Sequence, residues 1–206
     1  MRIILISGFL GSGKTSLLIQ MMDYLTRQSP SPRIVIIENE IGSINLDSRM
    51  LDGKGLTMRE MLSGCICCSL LSNLASEITH TAQTLAPDLL IIEATGMANA
   101  RDVITGIHTS VDESLYSSVQ SIVIVDASRL PYLLERTPRM VSRQLEQLDA
   151  VLLNKTDLVL PEELGDVRAA LREVVPDARV IEVSAENGVS DESWAEALLQ
   201  TETGAE

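Results

Sequence analysis

Gly8-Phe9-Leu10-Gly11-Ser12-Gly13-Lys14-Thr15 constrains this chain more than any other stretch. It satisfies the pattern G-x-x-x-x-G-K-[ST] at every fixed position. Arg2-Ile3-Ile4-Leu5-Ile6-Ser7 reads as a buried strand running into it, and Ser16-Leu17-Leu18-Ile19-Gln20-Met21-Met22 as a helix running out. Glycines let such a backbone curl until several N–H groups point at one phosphate chain, and the helix N-terminus adds a positive dipole end. The expected roles follow. Gly8, Gly11, Ser12, Gly13 and Ser16 form the cradle, Lys14 reaches the β and γ phosphates, and the Thr15 hydroxyl holds Mg²⁺. The plainer reading is a glycine-rich turn before a core helix, and the complete pattern in a strand–loop–helix setting argues against it.

The loop sets up an alternation that continues along the chain. Ile34-Val35-Ile36-Ile37, Leu89-Leu90-Ile91-Ile92, Ile122-Val123-Ile124-Val125, Val151-Leu152-Leu153 and Val180-Ile181-Glu182-Val183 are apolar runs of strand length. Unbroken Val/Ile/Leu runs indicate strands covered on both faces, as in a parallel sheet between helices. Helices are expected over 16–27, 70–85, 129–135 with 139–147, and 161–174. The predicted fold is a doubly wound α/β domain, a mostly parallel sheet with helices on both faces in a three-layer sandwich. Ser29-Pro30-Ser31-Pro32 separates the first helix from the second strand. No linker divides the chain, so residues 1–200 read as one domain and 201–206 as a flexible acidic tail.

In open parallel sheets, ligands gather beyond the carboxyl ends of the strands. Polar residues stand there after nearly every run: Glu38-Asn39-Glu40-Ile41-Gly42, Glu93-Ala94-Thr95-Gly96, Asp126, Asn154-Lys155-Thr156-Asp157 and Ser184-Ala185-Glu186. The pattern N-K-x-D in Asn154, Lys155 and Asp157 selects the nucleotide. A carboxylate at Asp157 accepts two hydrogens, from guanine N1 and its 2-amino group, and adenine offers neither. Such polar pairing discriminates strongly, because the wrong base leaves buried groups unpaired. Asn154 is expected to tie loops together, the Lys155 stem to cover the base, and Ser184 and Ala185 to complete the base pocket. A capped turn is the alternative for these four residues alone. Glu93 and Gly96 have the layout of D-x-x-G with Glu for Asp. An acidic residue there can hold Mg²⁺ through water, and the Gly96 N–H can contact the γ-phosphate. Glu38 or Glu40 is expected to orient the attacking water.

Gly64-Cys65-Ile66-Cys67-Cys68 holds all three cysteines of the chain. An odd, clustered set makes a poor disulfide framework and fits a reducing compartment. Thiolates bind Zn²⁺ and related soft or borderline metals. Three thiols within four residues staple nothing distant. They suit uptake and release of a metal on Cys65, Cys67 and Cys68, with an open fourth position for which His80, His108, Glu38, Glu40, water or a second chain compete. Buried cysteines without a ligand role, or a redox pair, are the alternatives. His80 lies in an expected helix and His108 near a loop; each reads as an ordinary surface or core residue.

Composition removes other classes. The formal charge of −13 argues against wrapping nucleic acid, and only five aromatic residues argue against a base-stacking platform. No run approaches the ~18 apolar residues of a membrane span, and the N-terminus does not read as a signal peptide. A soluble cytoplasmic protein is expected.

Taken together, Gly8 to Thr15, Glu38 to Gly42, Gly64 to Cys68, Ile92 to Gly96 and Asn154 to Asp157 resemble the CobW/HypB/UreG family of metal-linked P-loop GTPases, the CobW branch above all. The Cys-x-Cys-Cys element is the specific one. The resemblance implies the P-loop NTPase fold, slow hydrolysis of GTP to GDP and phosphate, and coupling of that reaction to handling Zn²⁺, Co²⁺ or Ni²⁺. It implies delivery to a client metalloenzyme or cofactor-assembly protein, and leaves room for a nucleotide- or metal-dependent homodimer. Two departures stand out. Members of the CobW branch usually carry a further C-terminal domain, whereas this chain has the size of UreG and HypB. The acidic residue often found after Asn-Glu-Phe-Gly is replaced by Ser43 after Ile41-Gly42. The expected function is therefore a GTP-dependent metallochaperone. Its rivals are a regulatory or assembly GTPase without metal transfer, a nucleotide-dependent activator of a corrinoid or other metalloenzyme, and a small-molecule kinase on the same fold.

Overall fold

A computed structural model of the chain describes residues 1–39, 56–60, 69–94 and 99–199. Its strands are β1 (Arg2–Gly8), β2 (Ile34–Asn39), β3 (Leu56–Glu60), β4 (Leu89–Ala94), β5 (Ser118–Asp126), β6 (Ala150–Asn154) and β7 (Arg179–Glu182). They form one seven-stranded sheet in the order β3-β2-β4-β1-β5-β6-β7. Every described ladder in it is parallel. The helices are α1 (Lys14–Thr26), α2 (Ser69–Leu85), α3 (Ala100–Ser110), α4 (Leu130–Arg136), α5 (Pro138–Gln144), α6 (Pro161–Val174) and α7 (Asp191–Ala197). The fold is that of the P-loop NTPases.

Strand alternation divides the core. Ile4 and Ile6 of β1 pack with Ile34, Ile36, Ile91, Ile124 and Leu152 under Leu17, Leu18, Met21 and Met22 of α1 and Trp194 of α7. Ile3 and Leu5 face the other way, joining Val35, Ile37, Leu90 and Ile92 beneath Leu74 and Ile78 of α2 and Val103 and Ile107 of α3. Val123, Val125, Val151 and Leu153 extend that second face under α4, α5 and α6 through Leu130, Val141, Val167 and Leu171. Both faces are covered, which explains why the central strands read as continuous apolar runs. Each Ile, Leu or Val side chain fully withdrawn from water contributes about 1.5–3 kcal/mol before entropy is counted.

Three elements were not legible in the sequence. Strand β3 alternates apolar and polar residues and lies at the sheet edge, so it lacks the continuous run of the inner strands. Helix α3 contains Gly106 and several β-branched residues, which lower helix propensity. It forms because Ala100, Val103 and Ile107 make a buried stripe and the Asn99 side chain caps the Arg101 N–H at 3.0 Å. His108 sits in the last turn of this helix, 3.0 Å from the Tyr116 hydroxyl through Nδ1. Short α7 is fixed by the Ser190 cap and by Trp194, which is 1% exposed. No described helix is long and apolar enough to cross a membrane.

Candidate functional site

β1 lies at the centre of the sheet, between β4 and β5. The loop that leaves its carboxyl end is therefore flanked by the ends of β4 and β5, with the end of β6 next along. Gly8, Gly11 and Gly13 all take positive φ, at 149°, 74° and 97°. A β-carbon on Gly8 would stand 2.3 Å from the Ile124 carbonyl oxygen, so the loop can leave the strand this way only with glycine there. The Ser12 N–H donates to Phe9 O at 3.1 Å, and the Leu17 N–H to Gly13 O at 3.0 Å, closing the turn onto α1. Lys14 Nζ donates to Gly8 O at 3.2 Å and Phe9 O at 3.3 Å, which holds its charge over the mouth of the loop. Thr15 is half-buried in the first turn of α1, and Ser16 is exposed beside it.

Asn154 ends β6 and is 1% exposed. Its Nδ2 donates to Ser12 O at 2.8 Å, and its Oδ1 accepts the Ala185 N–H at 2.9 Å. One carboxamide thus joins the 8–15 loop to the loop after β7. Lys155 follows in the left-handed region, φ 64°, and Nζ donates to Gly11 O and to Asp126 Oδ2, each at 2.7 Å. The Ser184 hydroxyl donates to Asp157 Oδ1 and accepts the Asn187 N–H at 3.1 Å. Gly13, Ser16, Asn154, Lys155, Asp157 and Ala185 line a cavity of about 350 Å³. Gln20 of α1 buttresses it from behind, donating to Ala185 O at 2.7 Å and accepting the Val189 N–H at 3.1 Å.

Three contributors escaped the sequence reading. Gln20 looks like an ordinary polar position on a helix, and only the tertiary structure brings the 185–189 loop to it. Asp126 is visible as a polar strand end, but nothing in its neighbours reveals that it receives Lys155. Arg129 lies against Gly11, its Nη1 3.5 Å from where a β-carbon of that glycine would stand. Burial works to raise the Asp126 carboxyl, yet hydrogen bonds from Lys155 and Ser128 and the Lys155 charge outweigh it and hold the group below the ordinary carboxylate range.

On the other side of β1, Glu93 near the end of β4 is 8% exposed and in register with Ile6. Glu38 of β2 is in register with Glu93 and, on its other side, with Glu60 of β3. Three glutamate positions thus form one row across the sheet, and Glu60 was not expected. Glu40, Cys65, Cys67, Cys68 and Gly96 lie outside the described residues. The two histidines sit on α2 and α3, and no group of three His, Cys, Asp or Glu side chains arranged for a metal occurs among the described residues.

A glycine loop leading from a central parallel strand into a helix, tied by Asn154 to a second loop, defines a P-loop nucleotide-binding protein. Residues 2–182 match the family described as CobW/HypB/UreG, nucleotide-binding domain, and the chain belongs to that family. It is 30% identical over 176 residues to the zinc chaperone YjiA of Escherichia coli, covering 80% of this chain and 54% of YjiA. It is 25% identical over 213 residues to zinc-regulated GTPase metalloprotein activator 1 of Dictyostelium discoideum, covering 85% of this chain and 44% of that protein. The chain thus spans about half the length of these curated relatives. The hydrogenase maturation factor HypB of Archaeoglobus fulgidus has the same fold, with a TM-score of 0.64 at 21% identity over 95% of this chain and 87% of HypB.

Proposed function

We propose that the chain is a GTP-dependent metal chaperone, which binds and slowly hydrolyses GTP and couples that cycle to holding and releasing a transition metal for a client protein. The observation that carries the nucleotide half is the Asn154 bridge. It joins Ser12 of the 8–15 loop to Ala185 of the loop after β7, beside a cavity that Gly13 and Asp157 both line, an arrangement that suits a guanine nucleotide. Asp157 reads the base, Ser184 and Ala185 close the pocket, and the Lys155 stem covers the base plane. Lys14 offsets phosphate charge, and Gly96 contacts the γ-phosphate.

Mg²⁺ suits the hard oxygen donors available, the Thr15 hydroxyl and the nearly buried Glu93 carboxylate, and when bound it would neutralise phosphate charge. Glu38 or Glu40 orients water. Positioning and charge stabilisation, not covalent chemistry, supply the rate.

The metal half rests on Cys65, Cys67 and Cys68 and on relatives named zinc chaperones. Zn²⁺ is the first choice of cargo, with Co²⁺ and Ni²⁺ as competitors. In the sequence Cys65 follows a few residues after Glu60, the last residue of β3, and Glu60, Glu38 and Glu93 stand in one row across the sheet. If nucleotide state changes metal affinity, metal must change nucleotide affinity by the same factor.

The test is a titration of fluorescent GTP and ATP analogues under reducing conditions, alone and with Zn²⁺, Co²⁺ or Ni²⁺. Preference for GTP and a metal-dependent shift of its affinity are expected. Equal binding of ATP removes the nucleotide assignment, and absence of metal binding in every nucleotide state removes the chaperone assignment.

A further inference from the structure

Asp126 closes β5 and is 2% exposed. Its Oδ1 accepts the Ser128 N–H at 3.0 Å and the Ser128 hydroxyl at 2.6 Å, and its Oδ2 accepts Lys155 Nζ at 2.7 Å. Lys155 commits two of its three N–H donors here, since the same amine also holds Gly11 O. One buried negative charge is thus matched by one close cation. A second cation nevertheless faces the same carboxylate. Arg129 Nε lies 3.7 Å from Asp126 Oδ2, near enough for charge attraction but beyond hydrogen-bond distance. Its side chain is 63% exposed and has no hydrogen-bonded carboxylate among the described residues. Its guanidinium rests against Gly11, in the turn of the phosphate loop.

We propose that Arg129 is a ligand of the nucleotide's phosphate chain, supplied by the same chain from outside the G-x-x-x-x-G-K-T segment and held in readiness by Asp126. The inference rests on the reading of this site as a GTP site. Three arguments carry it. A guanidinium presents several N–H donors in a planar fork that matches phosphate oxygens. The long contact with Asp126 keeps the side chain over the loop without consuming those donors, so less rotamer freedom is lost when phosphate arrives. The charge balance also calls for it. GTP carries about four negative charges at neutral pH, of which Mg²⁺ and Lys14 offset about three. The chain as a whole has 16 Lys and Arg against 29 Asp and Glu, so no general positive field supplies the remainder. Lys155 is drawn away toward Gly11 O and Asp126, whose charge it already balances.

The experiment measures equilibrium binding of fluorescent GDP and GTP to the full chain as wild type, Arg129→Ala and Arg129→Lys. Guanosine, which has no phosphate, serves as competitor. Arg129→Ala is expected to weaken GDP and GTP about tenfold, as loss of a charge-assisted hydrogen bond does. Guanosine competition should stay within about twofold, and Arg129→Lys should recover part of the loss. Salt should weaken nucleotide binding less in Arg129→Ala than in wild type. Unchanged GDP and GTP binding in Arg129→Ala would overturn the proposal. So would an equal loss for guanosine, which would mean that Arg129 acts by shaping the base pocket through Lys155. A wild type that fails to prefer GTP over ATP overturns the underlying reading before any variant is compared.

Discussion

Gly13 and Asn154 compete for the same space: the Asn154 amide nitrogen lies 2.3 Å from where a β-carbon on Gly13 would stand. The close approach lets the Asn154 side chain reach Ser12 O from below the loop, and it is available only because position 13 has no side chain. Gly13 also sits at φ 97°, where L-residues are strained. Gly13→Ala therefore meets two penalties, a backbone cost of about 1–2 kcal/mol and displacement of a buried hydrogen-bonded carboxamide. We expect thermal unfolding at lower temperature and loss of GDP binding by at least about a hundredfold. A variant that keeps wild-type affinity would show that the loop does not depend on the Asn154 bridge.

Asn154 and Gln20 grip one residue from two sides. Asn154 Oδ1 takes the Ala185 N–H, and Gln20 Nε2 donates to the Ala185 carbonyl. Asn154→Ala leaves Ser12 O and the Ala185 N–H without their side-chain partner, a cost of about 2–4 kcal/mol for two such groups. Gln20→Ala, at a half-buried position, should cost about 1 kcal/mol. Because both act on the 184–189 loop, the double variant should lose less than the sum, with a coupling of about 0.5 kcal/mol or more. Denaturant unfolding of the four proteins checks this. Strict additivity would mean that the two side chains hold the loop independently.

Asp126 makes a pH prediction. Its carboxyl is held below the ordinary range, so the folded state binds its proton less readily than the unfolded chain does. The stabilisation is complete above the unfolded carboxyl pKa of about 3.9 and is lost as pH falls through the lower folded value. Asp126→Asn removes it at every pH. The stability difference between wild type and Asp126→Asn should be constant from pH 7 to about 5, then shrink below about 4. A difference that shrinks already between pH 7 and 5 would assign the effect to another group.

How much of this was readable beforehand follows from where the information lies. The 8–15 loop and the 154–157 segment announce themselves, because phosphate and guanine each demand fixed residue types at fixed spacing. The inner strands do so too, since burial on both faces favours unbroken runs of Val, Ile and Leu. β3 escaped because an edge strand alternates, and α3 because its helix depends on packing of Ala100, Val103 and Ile107 more than on propensity. Gln20 and Arg129 were illegible for a different reason. Their partners, Ala185 and Gly11, are set by topology, and a single sequence carries no trace of which side chain will meet which loop.

The cysteines supply the last prediction, and it concerns the proposed metal cargo. Cys65, Cys67 and Cys68 are the only thiols in the chain, so Cys67→Ser with Cys68→Ser leaves one. A hydroxyl binds Zn²⁺ far more weakly than a thiolate, and one remaining thiolate cannot hold a soft or borderline ion tightly. The double variant should lose about a hundredfold or more in Zn²⁺ affinity, measured by competition with a chromophoric chelator under reducing conditions. Its GDP affinity in the absence of metal should be unchanged, because the described partners of Asn154 and Asp157 are Ser12, Ala185 and Ser184, none of them in the cysteine segment. By linkage, any shift that Zn²⁺ causes in nucleotide affinity or hydrolysis rate should vanish with the thiols. If Zn²⁺ binding and the Zn²⁺ response both persist, the metal is held elsewhere, and the row Glu60–Glu38–Glu93 becomes the first place to substitute.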